Sequence, residues 1–260
     1  MDEMNRRMVV KVGSNVLTRP DGKLDVTRMS TLVDQIAWLR QRGREVILVS
    51  SGAMASGRGE LCVDHKLDSV EQRQLFSSVG QVKLVGLYYD LFREYNIPIG
   101  QVLTMKENFE PGEQFRNQEA CMEVMLENGV LPIVNENDTV SVTELMFTDN
   151  DELSGLIARM MHAETLVLLS NIDGIYTAHP DDPAAELITV VEPNRDLSEY
   201  IRPEKSAFGR GGMHSKYTTA KNVSEAGIRV IIANGERDQV LVDLVENTHN
   251  VPHTEFLPCH

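Results

Sequence analysis

Apolar residues along the chain fall into two alternating rhythms. Met8-Val9-Val10-Lys11-Val12 is a short β-branched run stopped by Gly13, the pattern of a strand entering a turn. From Thr27 to Gln41 the spacing changes. Leu32, Ile36 and Leu39 recur at helical intervals and define one buried face, with Trp38 joining that packing. Glu45-Val46-Ile47-Leu48-Val49 predicts the next strand, with Gly43 as the helix stop before it. A helix is then expected from Val70 to Tyr95, a strand from Ile97 to Leu103, a helix from Gln114 to Glu127 ended by Asn128-Gly129, and a strand from Val130 to Val134. Thr139 to Phe147 alternates and predicts a short antiparallel excursion. A helical pattern runs from Glu152 to about Met161. Leu166-Val167-Leu168-Leu169 is fully apolar, as a central parallel strand requires. A helix from Met213 to Ala226 and a strand from Ile228 to Ala233 close the series.

Strand and helix in alternation predict an α/β fold, a parallel or mixed sheet with helices on both faces. No repeat or linker interrupts it, and 260 residues suffice for one substantial core, so a single domain over 1–260 is expected. The least regular stretch, Thr177 to Gly212, holds Pro180, Pro183, Pro193 and Pro203 and reads as a long excursion beside the site.

Charge narrows the function. Lys plus Arg number 25 against 39 Asp plus Glu, a formal charge of −14. A nucleic-acid partner calls for a basic face, so DNA or RNA binding is not expected. No segment has the length of a membrane span and no signal segment opens the chain, so a cytoplasmic location is expected. Cys62, Cys121 and Cys259 are far apart and read as reduced thiols, not a disulfide frame or zinc site; Cys259-His260 reads as a frayed tail.

Against this background two clusters stand out, Asn135-Glu136-Asn137-Asp138 and Thr148-Asp149-Asn150-Asp151. One follows a strand and the other opens a helix, the rim where α/β proteins bind ligands. Caps and turns account for one such cluster. Two place so many acids together that a ligand, a lysine or a metal must compensate them. Three further segments sit at predicted strand or helix ends. Lys11-Val12-Gly13-Ser14-Asn15 offers a lysine and turn amides for phosphate oxygens, or is simply a surface lysine beside a turn. Ser50-Ser51-Gly52-Ala53-Met54-Ala55-Ser56-Gly57 lets a ligand approach the backbone closely, or is a helix start of small residues. It lacks the partners of a serine triad. Gly209-Arg210-Gly211-Gly212-Met213-His214-Ser215-Lys216 has no Walker A spacing; a glycine run leading to a lysine is a second phosphate-binding arrangement or a flexible loop. His214 reads as a bystander.

In order along almost the whole chain, KVGSNVLT at 11–18, VSSGAMASG at 49–57, PIVNEND at 132–138, FTDND at 147–151 and GRGGMHSK at 209–216 resemble the signatures of the glutamate 5-kinase family, within the amino-acid kinase fold. The resemblance implies a three-layer αβα sandwich with a mostly parallel central sheet, commonly a dimer or tetramer. It implies transfer of the γ-phosphoryl group of ATP, with Mg²⁺, to the side-chain carboxylate of L-glutamate, the first step toward proline. By motif, Lys11 would contact the moving phosphoryl group, with Gly13 and Ser14 in the amide cradle, and Lys216 would approach the ATP phosphates. Asp151 would orient both lysines. Ser51, Gly52, Asn135, Asp138, Asp149 and Asn150 would surround glutamate. Ser170, Asn171, Arg210, Gly211, Gly212 and Met213 would line the nucleotide pocket. Ser170-Asn171 stands where the family usually has Thr-Asp. No dedicated metal site is implied, Mg²⁺ being held by phosphates and water.

The resemblance also implies proline feedback inhibition, with transfer of the product to a glutamyl phosphate reductase as an attractive hypothesis. Many members carry a C-terminal domain resembling RNA-modification modules, expected to be absent here. The rivals are kinases of the same fold acting on N-acetylglutamate, uridylate or isopentenyl phosphate, none of which offers a free ammonium, and a non-catalytic amino-acid sensor, which has no need of both lysines.

Overall fold

The computed structural model describes residues 7–141, 147, 149–201, 212–247 and 250–259. Its centre is an eight-stranded sheet in the order β3-β4-β2-β1-β5-β7-β8-β6. The strands are β1 (Arg7–Val12), β2 (Glu45–Ser50), β3 (Ile99–Thr104), β4 (Leu131–Glu136), β5 (Thr165–Ser170), β6 (Val190–Val191), β7 (Arg229–Asn234) and β8 (His253–Phe256). The pairings from β3 through to β7 are all parallel. β8 runs antiparallel to β7, and β6 is parallel to β8.

Side-chain alternation in β1 sends Met8, Val10 and Val12 to one face and Val9 and Lys11 to the other. The first face is covered by α2 (Val26–Gln41), α4 (Ser69–Arg93) and α8 (Val240–Glu246), which contribute Leu32, Ile36, Leu84, Tyr88 and Leu241 to its core. α5 (Glu113–Glu127), α6 (Asn150–Met160) and α7 (Met213–Glu225) cover the second face through Met122, Leu153, Ile157 and Ala220. These are the three expected layers. The short helices α1 (Ser14–Leu17) and α3 (Ala53–Arg58) sit directly after β1 and β2.

Local chemistry sets the helix ends. Asp25 caps α2 by accepting the Arg28 amide, and Asp68 and Glu71 form a reciprocal capping box that starts α4 at Ser69. Trp38 packs against the core's edge with the Arg42 guanidinium 3.5 Å over its ring. The α3–α4 crossing is unusually close. A Cβ placed on Gly80 would lie 1.8 Å from the Ala53 carbonyl oxygen, and one on Gly57 would lie 1.8 Å from that of Phe76. Only glycine lets these backbones touch, so part of the small-residue run after β2 serves helix packing rather than ligand approach.

Two expectations change, and a third falls largely outside the described residues. The stretch from Thr177 contains β6, so it reaches the far edge of the sheet as well as the cleft. Cys259 is not frayed: β8 lies along β7, and the Cys259 amide donates to the Ser224 carbonyl at 2.9 Å, while His260 lies outside the described residues. In 139–147, Thr139, Val140 and Ser141 lie in a turn and its exit, while 142–146 fall outside the described residues. Cys62, Cys121 and Cys259 are unpaired.

Candidate functional site

β1 is the switch point of the sheet, with β2 on one side and β5 on the other. The segments leaving the carboxyl ends of β1, β2, β4 and β5 therefore diverge and open a cleft of about 1290 Å³. Lys11, Gly13, Ser14, Ser51, Gly52, Asn135, Asp138, Asp149, Asn150, Ser170, Asn171, Gly212, Met213 and Lys216 all line it. Arg210 and Gly211 lie outside the described residues.

Beneath the cleft floor Asp151, in the first turn of α6, is fully buried. Its Oδ1 lies 2.6 Å from the Lys11 ammonium and its Oδ2 accepts from the Lys216 ammonium at 2.9 Å. Lys11 is on the face of β1 that points to α6, and Lys216 is in the first turn of the neighbouring α7. Burial opposes charge on Asp151, but Lys11 and Lys216 together outweigh it and hold the carboxyl below its ordinary range. Burial pulls the Lys11 ammonium down from its usual value, with Asp151 opposing and Lys216 reinforcing the shift. Two cations thus share one fully buried anion, with Asp149 the next carboxylate to Lys11, and the two ammoniums are the groups an anionic ligand would meet.

Asp149 is the N-cap of α6, its Oδ1 accepting the amides of Asp151 (2.9 Å) and Glu152 (3.1 Å). Burial and then the neighbouring Asp151 charge raise its pKa, against a hydrogen bond from Ser215 and the charge of Lys11. The bland capping role and the place in the cleft are thus held by the same residue. The helix starts at Asn150, two residues before the expected start.

Between Asp149 and Asp151, the Asn150 carboxamide donates to Ser51 Oγ and to Asn135 Oδ1, both at 3.0 Å. Asn135 Nδ2 in turn donates to Gln81 Oε1 at 3.1 Å. Gly52, in the left-handed region at φ 105°, turns the chain from β2 into α3 and leaves Ser51 facing the cleft. Asp138 accepts from Arg73 Nε at 2.5 Å, and Arg73 Nη2 lies 2.9 Å from Glu136 Oε1.

Two sequence expectations need correction here. The Gly13 amide is not bare; it donates to the Leu169 carbonyl at 3.4 Å, so the amides left at that turn are those of Ser14 and Asn15, which start α1. The acids at 135–138 are compensated by a cation from within the chain, Arg73, not by a ligand or a metal alone. Arg73 and Gln81 are the residues that motif reading missed. The signal was present: Arg73 falls in register with Phe76, Gly80, Leu84, Tyr88 and Phe92 on the buried stripe of α4, where an unpaired charge would be prohibitive. His214 is exposed. Among the described residues no group of three or more His, Cys, Asp or Glu is placed to hold a metal ion, and no helix is long and apolar enough to cross a membrane.

Comparison with known proteins bears on this geometry. A model of the amino acid kinase family matches residues 6–234. The glutamate 5-kinase of Bacteroides thetaiotaomicron is 63% identical over 252 residues, covering 97% of this chain and 70% of that protein. That of Chlorobaculum tepidum is 46% identical, with 91% of this chain and 65% of that protein covered. That of Symbiobacterium thermophilum is 42% identical, with 91% and 90% covered. Among solved structures, the carbamate kinase of Giardia lamblia bound to AMP-PNP superposes with a TM-score of 0.69 at 15% identity, covering 98% of this chain and 99% of that one. The UMP kinase of Ureaplasma parvum gives 0.66 at 16% identity, covering 96% and 98%. At such identities these two speak for the fold alone.

Proposed function

The chain belongs to the amino acid kinase family, and within it to the glutamate 5-kinases, and from that premise we propose that it phosphorylates the side-chain carboxylate of L-glutamate with ATP. The observation that carries the reading is the convergence of Lys11 and Lys216 on the buried Asp151, beside a cluster of amides and carboxylates in the same cleft.

The chemistry follows from charge. A carboxylate is ionised at neutral pH, so the acceptor needs no base to remove a proton. One of its oxygens attacks the γ-phosphorus. The bond from that phosphorus to the β–γ bridging oxygen breaks, ADP leaves with the bonding electrons, and an acyl phosphate remains. The task of the chain is alignment and stabilisation of the spreading negative charge. Lys11 and Lys216 donate to that charge, held in place by Asp151, with the amides of Ser14 and Asn15 nearby. Ser170, Asn171, Gly212 and Met213 line the nucleotide side; Arg210 and Gly211, which the motif also assigns to it, lie outside the described residues. Ser51, Asn135 and Asn150 hold the amino acid and Asp138 faces its ammonium, with Gly52 and Asp149 close by. Mg²⁺ bound with the nucleotide would neutralise phosphate oxygens. The donor set suits an ion carried by phosphates and water, with Asp149 the cleft-lining carboxylate nearest the lysine pair.

The reading extends to one kinase domain over 1–260, a cytoplasmic location, a homodimer or homotetramer, inhibition by proline, and a glutamyl phosphate reductase as the consumer of the product. Hydroxylamine trapping of the acyl phosphate, with ATP, Mg²⁺ and a panel of acceptors, tests the core claim. Hydroxamate is expected with L-glutamate and not with N-acetyl-L-glutamate. No hydroxamate from L-glutamate refutes it.

A further inference from the structure

Arg73 is an expensive residue to bury. Its side chain is 7% exposed, on the inner stripe of a helix otherwise filled by Phe76, Leu84, Tyr88 and Phe92. A buried ion pair is weak grounds for stability, since apolar side chains of similar volume do as well or better. What the guanidinium does is fix two carboxylates. Nε donates to Asp138 at 2.5 Å, Nη2 pairs with Glu136 by charge at 2.9 Å without an aligned hydrogen bond, and Glu136 also accepts the Phe147 amide at 3.2 Å. Both carboxylates, and Arg73 itself, line the cleft. Two carboxylates held by one guanidinium in the cleft wall present acceptors suited to an ammonium.

Eight residues further along the same face of α4, Gln81 holds the Asn135 carboxamide, which fixes Asn150 and through it Ser51.

We propose that Arg73 is the residue that sets recognition of the acceptor's ammonium, by clamping Glu136 and Asp138 in fixed positions on the cleft wall, with Gln81 setting the adjoining amides. Arg73 is a positioning residue here: it acts through Asp138 and does not itself touch the substrate. The proposal rests on the reading of the acceptor as a free amino acid. Without the guanidinium, Glu136 and Asp138 repel, and relieve the repulsion by moving apart or sharing a proton. Either removes the fixed anion from the ammonium's place. A lysine at 73 restores the charge but not the two-pronged geometry.

The test compares L-glutamate with glutarate, the same dicarboxylate lacking the ammonium, in the wild type, Arg73→Gln, Arg73→Lys and Gln81→Met. Wild-type turnover of L-glutamate is the control for the underlying reading; its absence overturns that reading whatever the variants do. Given that activity, Arg73→Gln is expected to raise KM for L-glutamate roughly tenfold or more while KM for ATP moves less than about twofold. Its preference for L-glutamate over glutarate, as a ratio of kcat/KM, falls by a similar factor. Arg73→Lys recovers part of the ratio, and Gln81→Met loses a few-fold of it. A merely structural Arg73 would lower both acceptors alike. An unchanged ratio in Arg73→Gln overturns the proposal, and if that variant does not fold, an unchanged ratio in Arg73→Lys does the same.

Discussion

Replacing Asp151 with Asn keeps the shape of the side chain and removes its charge, which isolates what one buried carboxylate does for two lysines. Asp151 has no exposure to solvent and touches Lys11 at 2.6 Å and Lys216 at 2.9 Å. A unit pair some 4 Å apart between charge centres is worth about 4 kcal/mol at an effective permittivity near 20. Removing one member of a buried pair typically costs about 3–5 kcal/mol, because the other charge stays behind. Here two like charges stay behind, so the upper part of that range is expected for Asp151→Asn. At about 2–4 °C per kcal/mol for a chain of this size, the melting temperature should drop by roughly 10–20 °C. Turnover should fall by about 10²–10³, as for loss of a preorganised electrostatic contact. Calorimetry and hydroxamate trapping measure the two effects. ATP provides an internal check: its phosphates supply the missing negative charge, so saturating ATP should narrow the gap in melting temperature between variant and wild type. A variant that melts within about 2 °C of wild type and turns over within about threefold would show that the lysines do not depend on Asp151.

Other outcomes can be stated more briefly. Lys216→Ala or Lys11→Ala should cut kcat by about 10³ or more and also lower the melting temperature by several degrees, since each leaves Asp151 with a single buried partner; near-normal kcat in either removes its assigned role. Because burial depresses Lys11, it loses its proton below the ordinary 10.5, and kcat should fall on the alkaline side before that pH. In the same window the unfolded chain binds more protons than the folded one, so this residue adds stability as pH rises, and activity and melting temperature should part company. A profile of kcat flat to pH 10.5 argues against it. Gly80→Ala would set a Cβ 1.8 Å from the Ala53 carbonyl oxygen, and is expected to cost about 3 kcal/mol or more and to raise KM for L-glutamate through displacement of α3. A stable, fully active Gly80→Ala protein would mean the helices can part freely.

Much of the fold was legible because it is built from uninterrupted local signals. Leu166–Leu169 has the pattern of a buried strand, and the 3.6-residue spacing of Leu32, Ile36 and Leu39 that of one helix face. α8 and β8 escaped for a matching reason. α8 has seven residues, entered and left through left-handed Gln239 and Asn247, too short for a period to establish itself. β8 is an edge strand of four residues whose place depends on pairing with β7. In the site, the structure brings together Lys11, Asp151 and Lys216, which the motifs name on a strand end and two helix starts. Arg73 and Gln81 were not legible in that way, because their meaning lies in contacts 65 and 54 residues away in sequence. A charge on an apolar stripe says that a partner exists without saying where.

The touching backbones of α3 and α4 have a consequence for anyone wishing to change what the cleft accepts. Ser51 leads into α3, and Arg73 and Gln81 stand on α4, so the welded pair carries these three as a single casting, set against Asn135 and Glu136 on β4 and Asn150 on α6. Substitutions made there one at a time will tend to be read as misfits, since neither helix can shift to accommodate a new side chain without the other. The lysines and Asp151 are fastened elsewhere, on β1, α6 and α7. Libraries that vary α3 and α4 jointly while leaving those elements untouched are the economical route to a new acceptor, because they re-mould the acceptor's contacts without disturbing the phosphate chemistry.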